Sequence, residues 1–187
     1  MERKAKTFFI TQYPWDCSGY KPKTMAVLTL REQELEVHFT AWEQNVRRIQ
    51  TRHNTDVYCD SCVEFFLQPD PQRDSRYINF EMNPNGAVYC AVNTPGGESI
   101  TLPEKTIDGF QPVARVYEDR WEAWLHIPAE VLTKEFPGYV HRQGTCVRGN
   151  FYKCGDKTEY PHFGCWNPIR WTEPNFHLPE FFGEIIL

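Results

Sequence analysis

Convincing helical periodicity is nearly absent from these 187 residues, and the period-2 alternation that stands in its place marks an all-β chain. Long apolar runs are missing as well. None approaches the roughly 20 residues needed to cross a bilayer, and the opening "MERKAKTFFITQYPWD" has a charged start but no sustained apolar stretch. The chain as written is therefore expected in the cytoplasm, or secreted if a leader has been removed. The net charge of -5 comes without any cluster of Lys and Arg, which argues against nucleic acid and anionic membranes as partners. A disulfide framework is lacking too: seven cysteines are an odd number, scattered at 17, 59, 62, 90, 146, 154 and 165, so a reducing compartment fits best. The one Cys-x-x-Cys, Cys59 and Cys62, lies in or beside a strand, where residues three apart face opposite ways. Both read as small buried side chains rather than zinc ligands. No EF-hand-like loop exists, and His141, His162 and His177 show no ligand spacing. No cofactor is expected, with structural calcium on Asp56, Asp60, Asp70 or Asp74 left open.

Short alternating strands run from end to end, without repeat or linker, as one domain over 1–187. "ELEVHFTAW" sets Leu35, Val37, Phe39 and Ala41 against Glu34, Glu36, His38 and Thr40, and it pairs as a hairpin with "AVLTL". "RYINFEM", the turn "NPNG" and "AVYCAV" form a second hairpin. "PVARVYE" and "RWEAWLHI" form a third, followed by a short helix entered at Pro128. "TCVRGNFYKC" and "GEIIL" are late strands on either side of a long loop dense in Pro and Gly. Two packed antiparallel sheets follow, a β-sandwich or jelly roll with at most two short helices, burying Leu35, Val37, Phe39, Val63, Phe65, Ile78 and Phe80.

The stretch "VYCDSCVEFFLQP" contains an anomaly. Glu64 interrupts its apolar run, although a buried carboxylate is costly unless something pairs with it. Strand alternation puts Val63, Phe65 and Leu67 on one face and Cys62, Glu64, Phe66 and Gln68 on the other. If this strand pairs with "RYINFEM", Glu64 and Gln68 share a face with Tyr77, Asn79 and Glu81.

Four ordered segments, "DSCVEFFLQP", "YINFEMNPNGAVY", "FYKCGDKTEYPHFGCWNP" and "PNFHLPEFFGEIIL", resemble the carbohydrate-binding family 9-like proteins, relatives of modules attached to xylanases. The resemblance covers most of the chain. It implies a DOMON-like β-sandwich that binds a saccharide between two aromatic rings, with polar side chains on its hydroxyls and no chemistry. Asp60, Ser61, Val63 and Glu64 match the family segment "DSVE" with Cys62 inserted, so the resemblance gives Glu64 a hydroxyl-binding role. The two family tryptophans of the clamp fall where this chain has Val57 and Tyr58, and Phe176. Tyr58 and Phe176 are the expected substitutes, or else Trp166 and Trp171 from the same C-terminal loop. Trp121 and Trp124 read as structural.

Sugars stack their C–H faces on aromatic rings and need a few polar partners in an apolar hollow. The expected saccharide-binding set is thus Tyr58, Glu64, Tyr77, Asn79, Trp166, Trp171 and Phe176, with no catalytic residues. Two alternatives remain at this point. Glu64 and Glu81 form a carboxylate pair of the kind used by glycosidases, and Met25 or Met82 could ligate haem in a redox domain of DOMON type.

Overall fold

The computed structural model describes residues 4–16 and 18–187; Cys17 lies outside them. Chain order is β1 (Lys4–Ile10), β2 (Lys23–Leu30), β3 (Glu34–Trp42), β4 (Cys62–Gln68), β5 (Tyr77–Met82), β6 (Val88–Asn93), β7 (Ser99–Thr101), α1 (Glu104–Asp108), β8 (Val113–Val116), β9 (Trp121–Pro128), α2 (Ala129–Glu135), β10 (Cys146–Cys154), β11 (Phe163–Cys165) and β12 (Gly183–Ile186). All pairings between these strands are antiparallel. One sheet runs β1-β2-β3-β9-β8, the other β11-β10-β4-β5-β6-β7, with β12 sharing the free edge of β10. No helix among the described residues is long and apolar enough to cross a membrane.

The expected sandwich is present, and all seven of the expected core residues named above are buried. The inner faces meet through aromatic contacts: Phe65 stacks on Phe151 with centroids 4.6 Å apart, and Phe39 meets Phe151 edge-on at 6.1 Å. The elements not foreseen are β1, β7, β11 and α1. The three residues of β7 are all exposed, and β11 is three residues inside the Pro/Gly-rich loop, so neither writes an alternation. At "NPNG", Asn83 accepts N–H bonds from Asn85 and Ala87, and Gly86 takes φ +80°, a conformation that glycine adopts without a Cβ clash.

The second sheet departs from a one-sided amphipathic pattern. Every residue of β4 is buried, Glu64 and Gln68 included. The reason is a roof: the segment after β11 folds back over the outer face and packs Ile169, Leu178 and Phe182 on Phe66, Tyr77 and Tyr152. Asn150 pins it by donating to the Asn167 carbonyl (3.0 Å) and accepting from the Asn167 N–H (2.9 Å), while the Arg148 guanidinium donates to the Phe182 carbonyl (2.7 Å).

A charged cluster fixes the mouth of the sandwich. Lys153, fully buried on the inner face of β10, lies 3.1 Å from the Glu43 carboxylate, which also accepts from Trp121 Nε1 (2.8 Å) and Ser61 Oγ (2.9 Å). Lys153 Nζ donates to the Cys154 carbonyl and to His162 Nε2, both at 2.8 Å. His162 Nδ1 donates to the Tyr160 carbonyl, and burial pushes the imidazole pKa down to about 3, so it stays neutral and accepts from the ammonium. Ser61 also accepts the Arg47 N–H, which ties the loop after β3 to the residues that lead into β4. Lys153→Met should cost about 3–5 kcal/mol by leaving the buried Glu43 carboxylate without its cationic partner. Adding Glu43→Gln should recover part of that loss; denaturant unfolding of both variants checks this, and equal stability of the single and double variants would speak against it.

Candidate functional site

Strand register assembles the site on the outer face of the second sheet. Glu64 stands directly opposite Glu81 of β5 on one side and Tyr152 of β10 on the other. Tyr152 carries the roof ring Phe176 flat upon it, with centroids 4.1 Å apart and planes at 7°. Trp15 abuts the same Phe176 at 5.9 Å. On the other side, a 3-10 turn over Val57–Cys59 presents Tyr58, 40% exposed, and is held by N–H bonds from Asp156 to the Tyr58 carbonyl and from Lys157 to the Cys59 carbonyl. Between these walls lies a cavity of about 450 Å³ lined by Tyr58, Glu64, Glu81, Cys154, Asp156, Phe163, Phe176 and His177, among others. A second hollow of about 500 Å³ adjoins it, sharing Tyr58, Glu81 and His177 and adding Tyr77, Tyr89, Asn93 and the β6–β7 turn.

Of the seven residues expected from sequence, Tyr58, Glu64 and Phe176 line the first cavity and Tyr77 the second. The Tyr77 hydroxyl is 2.9 Å from His177 Nδ1, and this contact holds the imidazole at the edge shared by the two hollows. Asn79 is fully buried behind the lining: its amide donates to Glu81 Oε1 (2.7 Å) and its carbonyl oxygen accepts from the Asn93 amide (2.7 Å). Asn79 thus aims Glu81 rather than facing the cavity. Trp166 packs instead on Phe8 (4.8 Å) and Phe151 (6.1 Å). Its ring lies so close over Gly183 that a Cβ there would come within 2.7 Å. Trp171 is 53% exposed and offers only its carbonyl, to Trp15 Nε1 (2.8 Å). Neither tryptophan lines either hollow.

The sequence reading of this site passed over Asp156, Phe163 and His177. Asp156 follows β10 in "KCGD" and His177 follows Phe176, so both sat in segments already singled out, but only the roof's path shows that they converge. Of the aspartates considered for calcium, Asp60 accepts from the Ile49 and Gln50 N–H groups and the Asn83 amide, and Asp74 is bound bidentately by Arg76. Asp70 is paired with Arg73 at 3.3 Å. Met82 is buried in the main core and Met25 sits on the first sheet.

The electrostatics follow from burial. The Glu64 carboxyl is held well above the usual range, first by desolvation and then by the neighbouring Cys154 and Glu81. Burial raises Asp156 as well, and carries Glu81 up to about 7 despite the Asn79 bond. Burial therefore favours the neutral form of Glu64, which accepts from the Cys154 thiol at 2.9 Å, and Glu81 is poised between its two forms. A pKa raised in the folded state stabilises fully below the unfolded value near 4.5 and loses that contribution as the pH climbs to about 7. Glu81→Gln, which keeps the acceptor for Asn79, should raise the melting temperature at pH 8 and leave it nearly unchanged at pH 4, measured with chelator present. A difference that is flat across this range would contradict the assignment.

The comparisons agree with this fold. Residues 1–187 match the family model described as carbohydrate-binding family 9. The chain is similar to a candidate carbohydrate-binding protein of Bacteroides uniformis, with 30% identity, a TM-score of 0.85, and 96% of this chain and 84% of the other covered. A family 9 carbohydrate-binding module from Caldicellulosiruptor kristjanssonii, solved with cellotriose, superposes with a TM-score of 0.65 at 13% identity over 97% of this chain and 82% of the module. Its glucose complex gives 0.64 at 14% over 97% and 83%. A protein of Arthroderma benhamiae described as extracellular is 23% identical over 181 residues, 88% of this chain and 78% of its own length. The chain belongs to carbohydrate-binding family 9.

Proposed function

We propose that this protein is a non-catalytic saccharide-binding domain that seats a sugar ring over Glu64 and Glu81, between Tyr58 and Phe176. The observation that carries the reading is that two aromatic rings and an in-register pair of carboxyl groups, which the sequence spreads over positions 58, 64, 81 and 176, line one open cavity. The rings offer apolar faces to the C–H side of a pyranose. The floor offers both kinds of hydroxyl partner, because a neutral Glu64 donates one bond and accepts others while Asp156 and an ionised Glu81 accept. The family modules solved with cellotriose and glucose support a glucose-type ligand. A glycosidase reading has the raised carboxyl pKa values in its favour. However, the pair stands side by side on one sheet floor, whereas hydrolysis places its two carboxyl groups on either side of the scissile bond.

Calorimetric titration with glucose, cellobiose and cellotriose tests the proposal. Binding is expected, with no release of reducing sugar. Tyr58→Ala should weaken it by about 1 kcal/mol through loss of stacking. Glu64→Leu, which removes every polar atom of the floor residue, should weaken it by about 1–3 kcal/mol without lowering the melting temperature. Glu64→Gln should be milder than Glu64→Leu, since the amide imitates the neutral acid. Affinity unchanged in both Tyr58→Ala and Glu64→Leu would overturn this site.

A further inference from the structure

The same sheet face carries a second arrangement, which shares Glu64 with the saccharide floor. Cys62 of β4 stands directly opposite Cys154 of β10, and Glu64, two residues along from Cys62, points to the same side. The two Sγ atoms and a carboxylate oxygen of Glu64 all lie within 4.8 Å of one another, and all three side chains are buried. Cys154 Sγ is already 2.9 Å from Glu64 Oε1. A tetrahedral zinc ion bound at about 2.3 Å to sulfur and about 2.0 Å to oxygen holds its donors roughly 3.3–3.8 Å apart, so small side-chain rotations bring this triad to a metal.

The surroundings suit a closed first shell on three sides and an open fourth position. Val57 and Ala87 pack around the two thiols, with Tyr89, Phe163 and Phe176 beside them, which keeps this end of the patch dry. Glu64 and Cys154 also line the 450 Å³ cavity, so the fourth position faces space that admits a water molecule or a ligand oxygen. Among the residues lining that cavity none is Lys or Arg, while Glu81 and Asp156 add two further carboxyl groups. Asn79 holds Glu81, which stands opposite Glu64 in the strand register, so a further carboxyl group lies beside the triad.

We propose that Cys62, Cys154 and Glu64 form a three-ligand site for a thiophilic divalent cation of the zinc class, with its fourth position open to the cavity. Two thiolates and a carboxylate select zinc over calcium or magnesium, which take oxygen ligands. Loading converts two thiols and a carboxyl group to their anions, so three protons leave to solvent as one dication enters. Cys59 has no place in this site, although it is the nearer cysteine in sequence. The site shares Glu64 and Cys154 with the proposed saccharide cavity, but its readouts involve no sugar, so either reading can fail without the other.

Reduced, chelator-stripped protein titrated with Zn(II), and in parallel with Co(II), tests it. One equivalent should bind, the cobalt form should show thiolate-to-metal charge transfer with intense tetrahedral bands, and the zinc absorption edge should give two sulfur neighbours at about 2.3 Å with oxygen at about 2.0 Å. These wild-type spectra do not depend on how any variant folds. Cys62→Ser and Cys154→Ser should each weaken binding by more than the roughly 100-fold that even a lost outer partner can cause. Cys146→Ser, at the far end of β10, should bind as the parent does. Failure to bind zinc, a metal shell without sulfur, or cobalt thiolate bands that survive in the double variant Cys62→Ser/Cys154→Ser would overturn the site.

Discussion

The fold of this chain turns on the desolvation of the outer face of its second sheet. A two-sheet sandwich needs only one buried face per sheet, yet β4 is buried on both, because the segment between β11 and β12 crosses over it and packs its own apolar residues on Phe66, Tyr77 and Tyr152. The roof is hydrogen-bonded to β10 through Arg148 and Asn150 and to β5 through Tyr77 and His177. One strand thus holds three things: the core through Phe151, the roof through Asn150 and Arg148, and the buried ammonium of Lys153 that closes the mouth of the sandwich.

Desolvation also gives the cavity its chemistry. On an open sheet Glu64 and Glu81 would be ordinary surface carboxylates and worth little to a ligand. Under the roof, desolvation favours the neutral form of Glu64 and carries Glu81 up to about 7, so the floor can present hydrogen-bond donors and acceptors together. Buried polar groups without partners are costly. The structure offsets that cost partly from within, with Asn79 on Glu81 and Cys154 on Glu64, and leaves the remaining capacity turned towards the cavity.

How much of this was legible in the sequence depended on whether a signal was local. Alternation in "ELEVHFTAW" and "RYINFEM" gave strands and faces directly, and the inward residues are buried as expected. The position of Glu64 marked the floor because a carboxylate in an apolar run demands a reason. What local pattern does not contain is the path of an irregular loop. The roof is built from a Pro/Gly-rich stretch without periodicity, so alternation placed Gln68 on the outer face without showing that the face is covered; it is only 6% exposed and donates to the Asp74 carbonyl. The same blindness separates the aromatic residues of that loop. Phe176 and Trp166 look alike in sequence, yet one lies on Tyr152 at the cavity and the other on Phe8 and Phe151. Cys154 and Cys62, 92 positions apart, become neighbours only through strand register.

The central claim is that a sugar enters the cavity beneath the roof and not some other surface. Backbone amide shifts of isotopically labelled protein during a cellotriose titration test it most directly. Perturbations should concentrate at 56–58, 64, 81, 154–156 and 175–177, with the outer face of the first sheet around His38 and Trp124 silent. Shifts confined to that outer face, with the residues around Glu64 unmoved at saturation, would contradict it.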